Sequence, residues 1–145
     1  MKKVLMWSVL VFLVTQFILS RYLYIDYKNK CFIKVVPSAL MPGNLKTPQA
    51  LKFLKETSTS DYLTVCKNVK TINKNPSCGG FDGGCYNQRS LNTIYLGNDQ
   101  GNIAIAAALI VHETCHVTQG LEKKSFDEQE CQETAKKYLN PVVLY

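Results

Sequence analysis

The stretch NIAIAAALIVHETCHVTQG, residues 102–120, decides how this chain folds. It is rich in alanine, the residue type with the highest helix propensity. Its first half is apolar on every side, which predicts a helix buried in the core of a domain. Gly120 is expected to end this helix, because glycine commonly follows a helix C-terminus. Both histidines of the chain, His112 and His116, fall in this stretch, so we expect any functional site to be built around it.

His112 and His116 lie four residues apart with Glu113 between them, which is the pattern H-E-x-x-H. Residues four apart share one face of a helix, so the two imidazoles point to the same place and can bind one metal ion. Glu113 lies about 100° further round the helix, beside the ligands, where it can take a proton from a water that the metal activates. This pattern is typical of zinc peptidases. The alternative is a buried helix whose histidines are packed without a metal.

A third ligand is expected downstream, in SFDEQECQETAKKYL, where a helix is predicted from about residue 126 to 139. With these residues the chain resembles the zincin metallopeptidases of the gluzincin group, whose third ligand is a glutamate in the pattern E-x-x-A-D. The resemblance covers residues 90–139 and places Glu128 as the ligand. It places Cys131 at the small residue and Gln132 at the aspartate, which in that group orients a zinc-bound histidine.

Alternatives to this third ligand are present nearby. Glu130 is the main rival and Glu133 a further one, while Glu128 could simply close a capping box that begins at Ser125. Gln119 follows the second histidine in the order H-x-x-Q, which is also common in small members of the group. The three-histidine continuation H-x-x-G-x-x-H is absent from the sequence, which excludes the metzincin type.

The resemblance implies a small α+β domain with an active-site helix, a third-ligand helix and a small antiparallel or mixed sheet. It also implies Zn²⁺ as cofactor, a peptide or protein as substrate, and a strand in LNTIYLG, residues 91–97, whose edge binds that substrate. The oxyanion of the reaction needs a donor, and the candidates are Tyr86, Arg89, Tyr138 and Tyr145.

The same alignment brings Cys115 and Cys131 to a contact between the two site helices, which implies a disulfide there. A buried free thiol, or a cysteine that binds the metal, is the alternative. Six cysteines are present, an even number.

Cys78 and Cys85 enclose the segment GGFDGG and are expected to close a short loop. Cys31 and Cys66 would then pair by elimination. A zinc site made of cysteines is a poorer interpretation, because no C-x-x-C occurs.

Residues 1–25 have the plan of a signal anchor or a signal peptide, with two lysines followed by an apolar run. We favour an uncleaved anchor in the cell membrane, with residues 26–145 as a single extracytoplasmic domain; the alternative is a secreted or periplasmic domain after cleavage. Lysine and arginine flank both ends of the run, so the positive-inside rule does not choose an orientation. The cysteines do, because disulfides form in oxidising compartments.

The net charge of +6 does not indicate nucleic-acid binding. Residues 1–35 carry six basic residues against one acidic residue, whereas residues 36–145 carry eleven against ten. The positive charge therefore belongs to the membrane-proximal end and not to a basic face of the domain. The second functional hypothesis is a disulfide-stapled extracytoplasmic binding or interaction domain in which the metal is structural or absent.

The remaining segments predict the other elements of the domain. An extended stretch is expected at 31–40, and a helix at 46–58 with Thr47 as its cap and Pro48 at its first position. Alternation in DYLTVCKNVKTI predicts a strand at 61–72, and the glycines and proline of residues 73–90 predict a loop without regular structure.

Overall fold

The computed structural model describes residues 2–36, 46–74, 78, 83–97 and 102–139. They form a small α+β domain with five helices and a mixed five-stranded sheet. In chain order the elements are α1 Lys2–Tyr22, β1 Leu23–Asp26, β2 Cys31–Val36, α2 Lys46–Thr57, α3 Thr59–Asn68, β3 Thr71–Lys74, β4 Gly84–Tyr86, β5 Thr93–Leu96, α4 Ile103–Leu121 and α5 Glu128–Lys136.

The sheet has the strand order β1-β2-β3-β5-β4. Strands β2, β3 and β5 are parallel, and an antiparallel strand closes each side, β1 on β2 and β4 on β5. Helices α2 and α3 form the crossover between β2 and β3, as a parallel connection requires. This order places β4, the shortest strand, at the edge of the sheet beside α4.

Helix α4 is the centre of the domain and contacts α2, α3, α5, β4 and β5. It begins at Asn102, whose side chain accepts hydrogen bonds from the backbone N–H groups of Ala104 and Ile105. Most of its residues are buried, from Ala106 to Gln119. The prediction of a long, buried central helix is therefore confirmed.

The end of α4 differs from the prediction, since the helix continues through Gly120 to Leu121 and its cap, Glu122, is right-handed. Gly120 has a different role. A Cβ at this position would lie 2.7 Å from the hydroxyl of Tyr86, so the glycine allows β4 to pack closely against α4.

The predicted strand at 61–72 is wrong for residues 61–68, which belong to helix α3. Ser58 caps this helix by accepting a hydrogen bond from the backbone N–H of Asp61. Its buried side chains, among them Tyr62, Val65 and Cys66, are spaced three and four apart, so a helical stripe explains the same residues that seemed to alternate. Of the predicted strand, only residues 71–72 lie in a strand, at the start of β3.

Other boundaries also need correction. Helix α2 is present as predicted but begins at Lys46, so Thr47 lies inside its first turn and does not cap it. The segment 73–90 contains the end of β3 and the whole of β4, so the prediction that it lacks regular structure is wrong. Helix α5 is shorter than predicted and is capped by Asp127, which accepts from Glu130 N, and not by Ser125.

The side chains of helix α1 from Met6 to Phe17 are exposed. Over the described parts of the chain, no helix has both the length and the apolar character needed to cross a membrane. Strand β1 starts at Leu23, so the sheet begins inside the segment predicted as the anchor. The anchor itself stays a prediction.

Candidate metal centre

Three side chains meet where α4 approaches the start of α5. His112 and His116 lie on one face of α4, one turn apart, and their Nε2 atoms are 3.2 Å from each other. Glu128, the first residue of α5, lies opposite with its two carboxylate oxygens 3.1 Å from His112 Nε2 and 2.9 Å from His116 Nε2. The structure thus brings together the three residues that the sequence suggested as ligands.

The size of this cluster suits a metal ion. Ligand atoms held about 2.0–2.1 Å from a tetrahedral zinc ion lie about 3.3–3.4 Å from one another. In the cluster the two histidine nitrogens are 3.2 Å apart, and each has a Glu128 oxygen within 3.1 Å. With one oxygen of Glu128, the three ligand atoms lie within 4.8 Å of one another. The histidines are nearly buried, whereas the Glu128 side chain is 56% exposed. A cluster that is open on one side leaves room for a fourth ligand from solvent or substrate.

The rival ligands lie elsewhere. Glu130 accepts a hydrogen bond from Gln119 at 2.8 Å, and Glu133 accepts one from Gln129 at 3.3 Å. Gln132, which the gluzincin pattern assigns to orienting a histidine, instead donates to Glu128 Oε1 at 3.3 Å.

Glu113 borders the same cavity, which has a volume of about 460 Å³. Its side chain is only 2% exposed, and it packs against the backbone of β4 at Gly84. A Cβ at this glycine would come within 3.0 Å of both Cγ and Cδ of Glu113, closer than van der Waals contact allows. Gly84 therefore makes room for the carboxylate. The cavity is lined by Gly84, Cys85, Tyr86, His112, Glu113, His116, Phe126 and Glu128.

The strand beside the cavity is β4, which corrects the expectation that the strand of LNTIYLG offers its edge. That strand is β5, and it pairs with β3 on one side and with β4 on the other. Strand β4 pairs only with β5 among the described strands, and its three residues line the cavity. Strand β4 was not predicted from the sequence, because its three residues follow a glycine-rich loop and are too few to show a periodicity.

Among the oxyanion candidates that the structure describes, only Tyr86 lines the cavity. Its buried hydroxyl has no hydrogen-bond partner among the described residues, and burial raises the pKa of Tyr86. The hydroxyl of Tyr138 donates to Asp61 on α3, so Tyr138 is engaged elsewhere. Arg89 lies in an exposed turn, and Tyr145 lies outside the described residues.

All three predicted disulfides are present, so the alternative of a free or metal-binding Cys115 or Cys131 is wrong. One of them joins α4 to α5 next to the cluster, with Cys131 Sγ 3.5 Å from His116 Nδ1. The pairs are Cys31–Cys66, Cys78–Cys85 and Cys115–Cys131.

Comparison with models of known protein families, with curated protein sequences and with solved structures finds no match to this chain. What the site does must therefore be argued from its own residues and geometry.

Proposed function

We propose that this protein is a small zinc-dependent peptidase in which His112, His116 and Glu128 bind Zn²⁺ and Glu113 acts as general base. The observation that carries the proposal is the convergence of His112, His116 and Glu128, whose ligand atoms, one from each residue, lie within 4.8 Å of one another. They border the cavity that Glu113 also lines. The H-E-x-x-H pattern supports it independently, because it places the same groups on α4 from sequence alone.

Two imidazole nitrogens and one carboxylate form a ligand set found in catalytic zinc sites. When bound, zinc supplies a Lewis acid that polarises a substrate carbonyl and makes water acidic enough to be deprotonated near neutral pH. Glu113, which lines the same cavity, would take that proton and return it to the nitrogen of the leaving amine. Its burial against Gly84 restricts the movement of the carboxylate, and a fixed general base is more effective than a mobile one.

An extended peptide is the substrate class that the edge of the sheet favours. The outer edge of β4 carries backbone N–H and C=O groups that can pair with a peptide, as in β-strand addition. Because Gly84, Cys85 and Tyr86 all line the cavity, a peptide paired with this strand would pass over the metal ligands. Phe126 and Tyr86, in edge-to-face contact at 5.8 Å, offer an apolar wall for one of its side chains.

The proposed compartment is extracytoplasmic, with residues 1–25 as a membrane anchor. All six cysteines are paired, and disulfides persist outside reducing compartments. The substrates we expect are therefore exported or membrane-associated proteins.

The test uses the full-length chain, produced in an oxidising compartment and purified without chelators. We expect one equivalent of zinc by elemental analysis, lost in His116→Ala. Cleavage of a peptide library, read by mass spectrometry, should disappear in Glu113→Gln while zinc is retained. Glu122→Gln is the matched control, because Glu122 is paired with Lys124 on the surface. This variant should cleave the peptides normally. A chain that binds no zinc, or a Glu113→Gln variant that still cleaves, would contradict the proposal.

The second candidate is a binding domain with a structural metal. Three disulfides in one small domain support it, because small exported domains often depend on such links to fold. A structural site needs no carboxylate at residue 113, so Glu113→Gln would then leave zinc content, folding and partner binding unchanged, and the unsubstituted chain would cleave no peptide.

A further inference from the structure

Gln119 is a buried polar residue, 3% exposed, that lies three residues after His116 on α4. Its side-chain nitrogen donates to the backbone oxygen of Asp127 at 3.2 Å and to the carboxylate of Glu130 at 2.8 Å. Its side-chain oxygen accepts from the backbone N–H of Asp127 at 3.2 Å and lies 3.2 Å from Nδ1 of His116. The contacts with Asp127 and Glu130 fix which end of the amide is nitrogen and which is oxygen.

This orientation determines the tautomer of His116. Since the Gln119 oxygen can only accept, Nδ1 of His116 must carry the proton and donate it. In the neutral form of His116, Nε2 then presents its lone pair to the cluster formed with His112 and Glu128. A neutral imidazole with a free Nε2 is the form that binds a metal ion.

The same side chain also fixes the start of α5. Asp127 is the N-cap of this helix, and both its backbone N–H and its C=O are bound by Gln119. Glu128 follows directly, so its position over α4 depends on where Asp127 is held. One buried amide therefore connects the second histidine with the carboxylate that faces it.

We infer that Gln119 is a positioning residue of the metal site, which sets the tautomer of His116 and holds Glu128 in place at once. This inference rests on the metal-binding part of the proposed function. It assigns to Gln119 the orienting role for which Gln132 was expected, since Gln132 contacts Glu128 and not a histidine.

The experiment measures the zinc affinity of the full-length chain by competition with a chelator. Gln119→Met keeps an unbranched side chain of similar length but can replace none of the four contacts. We expect it to bind zinc about 10- to 100-fold more weakly, the usual effect of removing an outer partner of a ligand. Gln129→Met is the matched control, because Gln129 is exposed on α5 and its side chain donates a hydrogen bond to Glu133 at the surface. Its zinc affinity should not change.

A second variant separates positioning from simple loss of stability. Gln119→Glu combined with Glu130→Gln exchanges the donor and the acceptor of the hydrogen bond between residues 119 and 130. It keeps an acceptor for His116 Nδ1 and for the N–H of Asp127. We expect this double variant to recover most of the zinc affinity that Gln119→Met loses.

Two results would overturn the inference while zinc binding by the unsubstituted chain stands. One is a Gln119→Met variant with a lower melting temperature but unchanged affinity; the other is a double variant that binds as weakly as Gln119→Met. Absence of zinc from the unsubstituted chain would instead overturn the proposed function together with this inference.

Discussion

Removal of the Cys115–Cys131 disulfide should weaken metal binding more than removal of the Cys31–Cys66 disulfide does, although it should destabilise the fold less. The loop-entropy relation gives about 3 kcal/mol at 25 °C for a bridge across 16 residues, and about 4 kcal/mol for the Cys31–Cys66 bridge across 35. The double substitution to alanine should therefore lower the melting temperature by about 10 °C at Cys115 and Cys131, and by somewhat more at Cys31 and Cys66.

Zinc affinity should follow the opposite order. Helix α5 has nine residues, and only Cys131 and Ala135 among them are buried, so a helix this short is marginal without its link to α4. The apparent zinc affinity is proportional to the fraction of molecules in which α5 is docked on α4, so it falls when that fraction falls. We expect the Cys115→Ala/Cys131→Ala variant to bind zinc at least about tenfold more weakly, which corresponds to a docked fraction of about one tenth.

The assay compares both double variants at a temperature where circular dichroism shows each to be folded. Zinc affinity is measured by chelator competition, and stability by thermal unfolding in excess chelator. Equal losses of affinity in the two variants would refute the reasoning, because the disulfide beside the cluster would then act only through global stability. An unchanged affinity in Cys115→Ala/Cys131→Ala would refute it as well.

Gly84→Ala should displace the Glu113 carboxylate by up to about 1 Å and reduce kcat about 100-fold without loss of zinc, measured by peptide cleavage and elemental analysis. Normal turnover would show that Glu113 tolerates the new methyl group. Tyr86→Phe removes a buried hydroxyl without a described partner, so thermal unfolding should show unchanged or higher stability, by up to about 1 kcal/mol. A clear loss would reveal a partner for the hydroxyl. The Lys55 ammonium, foremost among its partners, holds the pKa of Asp26 well below its usual range, so Asp26 stabilises the fold above its ordinary pKa of 3.8 and this contribution is lost as pH falls below that value. Asp26→Asn should therefore lower the melting temperature at neutral pH, with a difference that shrinks in acid; a difference that grows in acid would contradict this sign.

Local sequence patterns predicted the parts of the site that local geometry determines. The spacing of His112 and His116 gives a shared helix face wherever a helix forms, and the apolar run before them predicts that helix. The Cys78–Cys85 disulfide was expected because the two cysteines enclose a short loop, and Cys31–Cys66 followed by elimination. The Cys115–Cys131 disulfide was implied by the resemblance to the gluzincins. Glu128 was harder, because its position depends on how α5 docks against α4.

Non-local packing explains what the sequence did not show. The side chains of Tyr62 and Cys66 suit either an alternating strand or a helical stripe, and the cap at Ser58 favours the helix. Strand β4 exists because β5 offers it a partner, which a three-residue segment cannot reveal. The contacts of Gln119 with Asp127 and Glu130 join residues eight and eleven positions apart, a spacing that no secondary-structure period predicts.

Helix α5 is the element on which the proposed site depends most, and several independent contacts hold it. Besides the disulfide and Gln119, the segment after it contacts α3, where Lys137 and the hydroxyl of Tyr138 both reach Asp61. An exposed, mostly polar helix gains little from its own hydrophobic burial, so these links must supply most of its docking free energy. Because Glu128 is the first residue of this helix, it can act as the third ligand only when α5 is docked, so the metal affinity depends on the docking free energy. If the chain binds zinc, the stability of α5 and the affinity of the site should therefore change together across variants of these contacts.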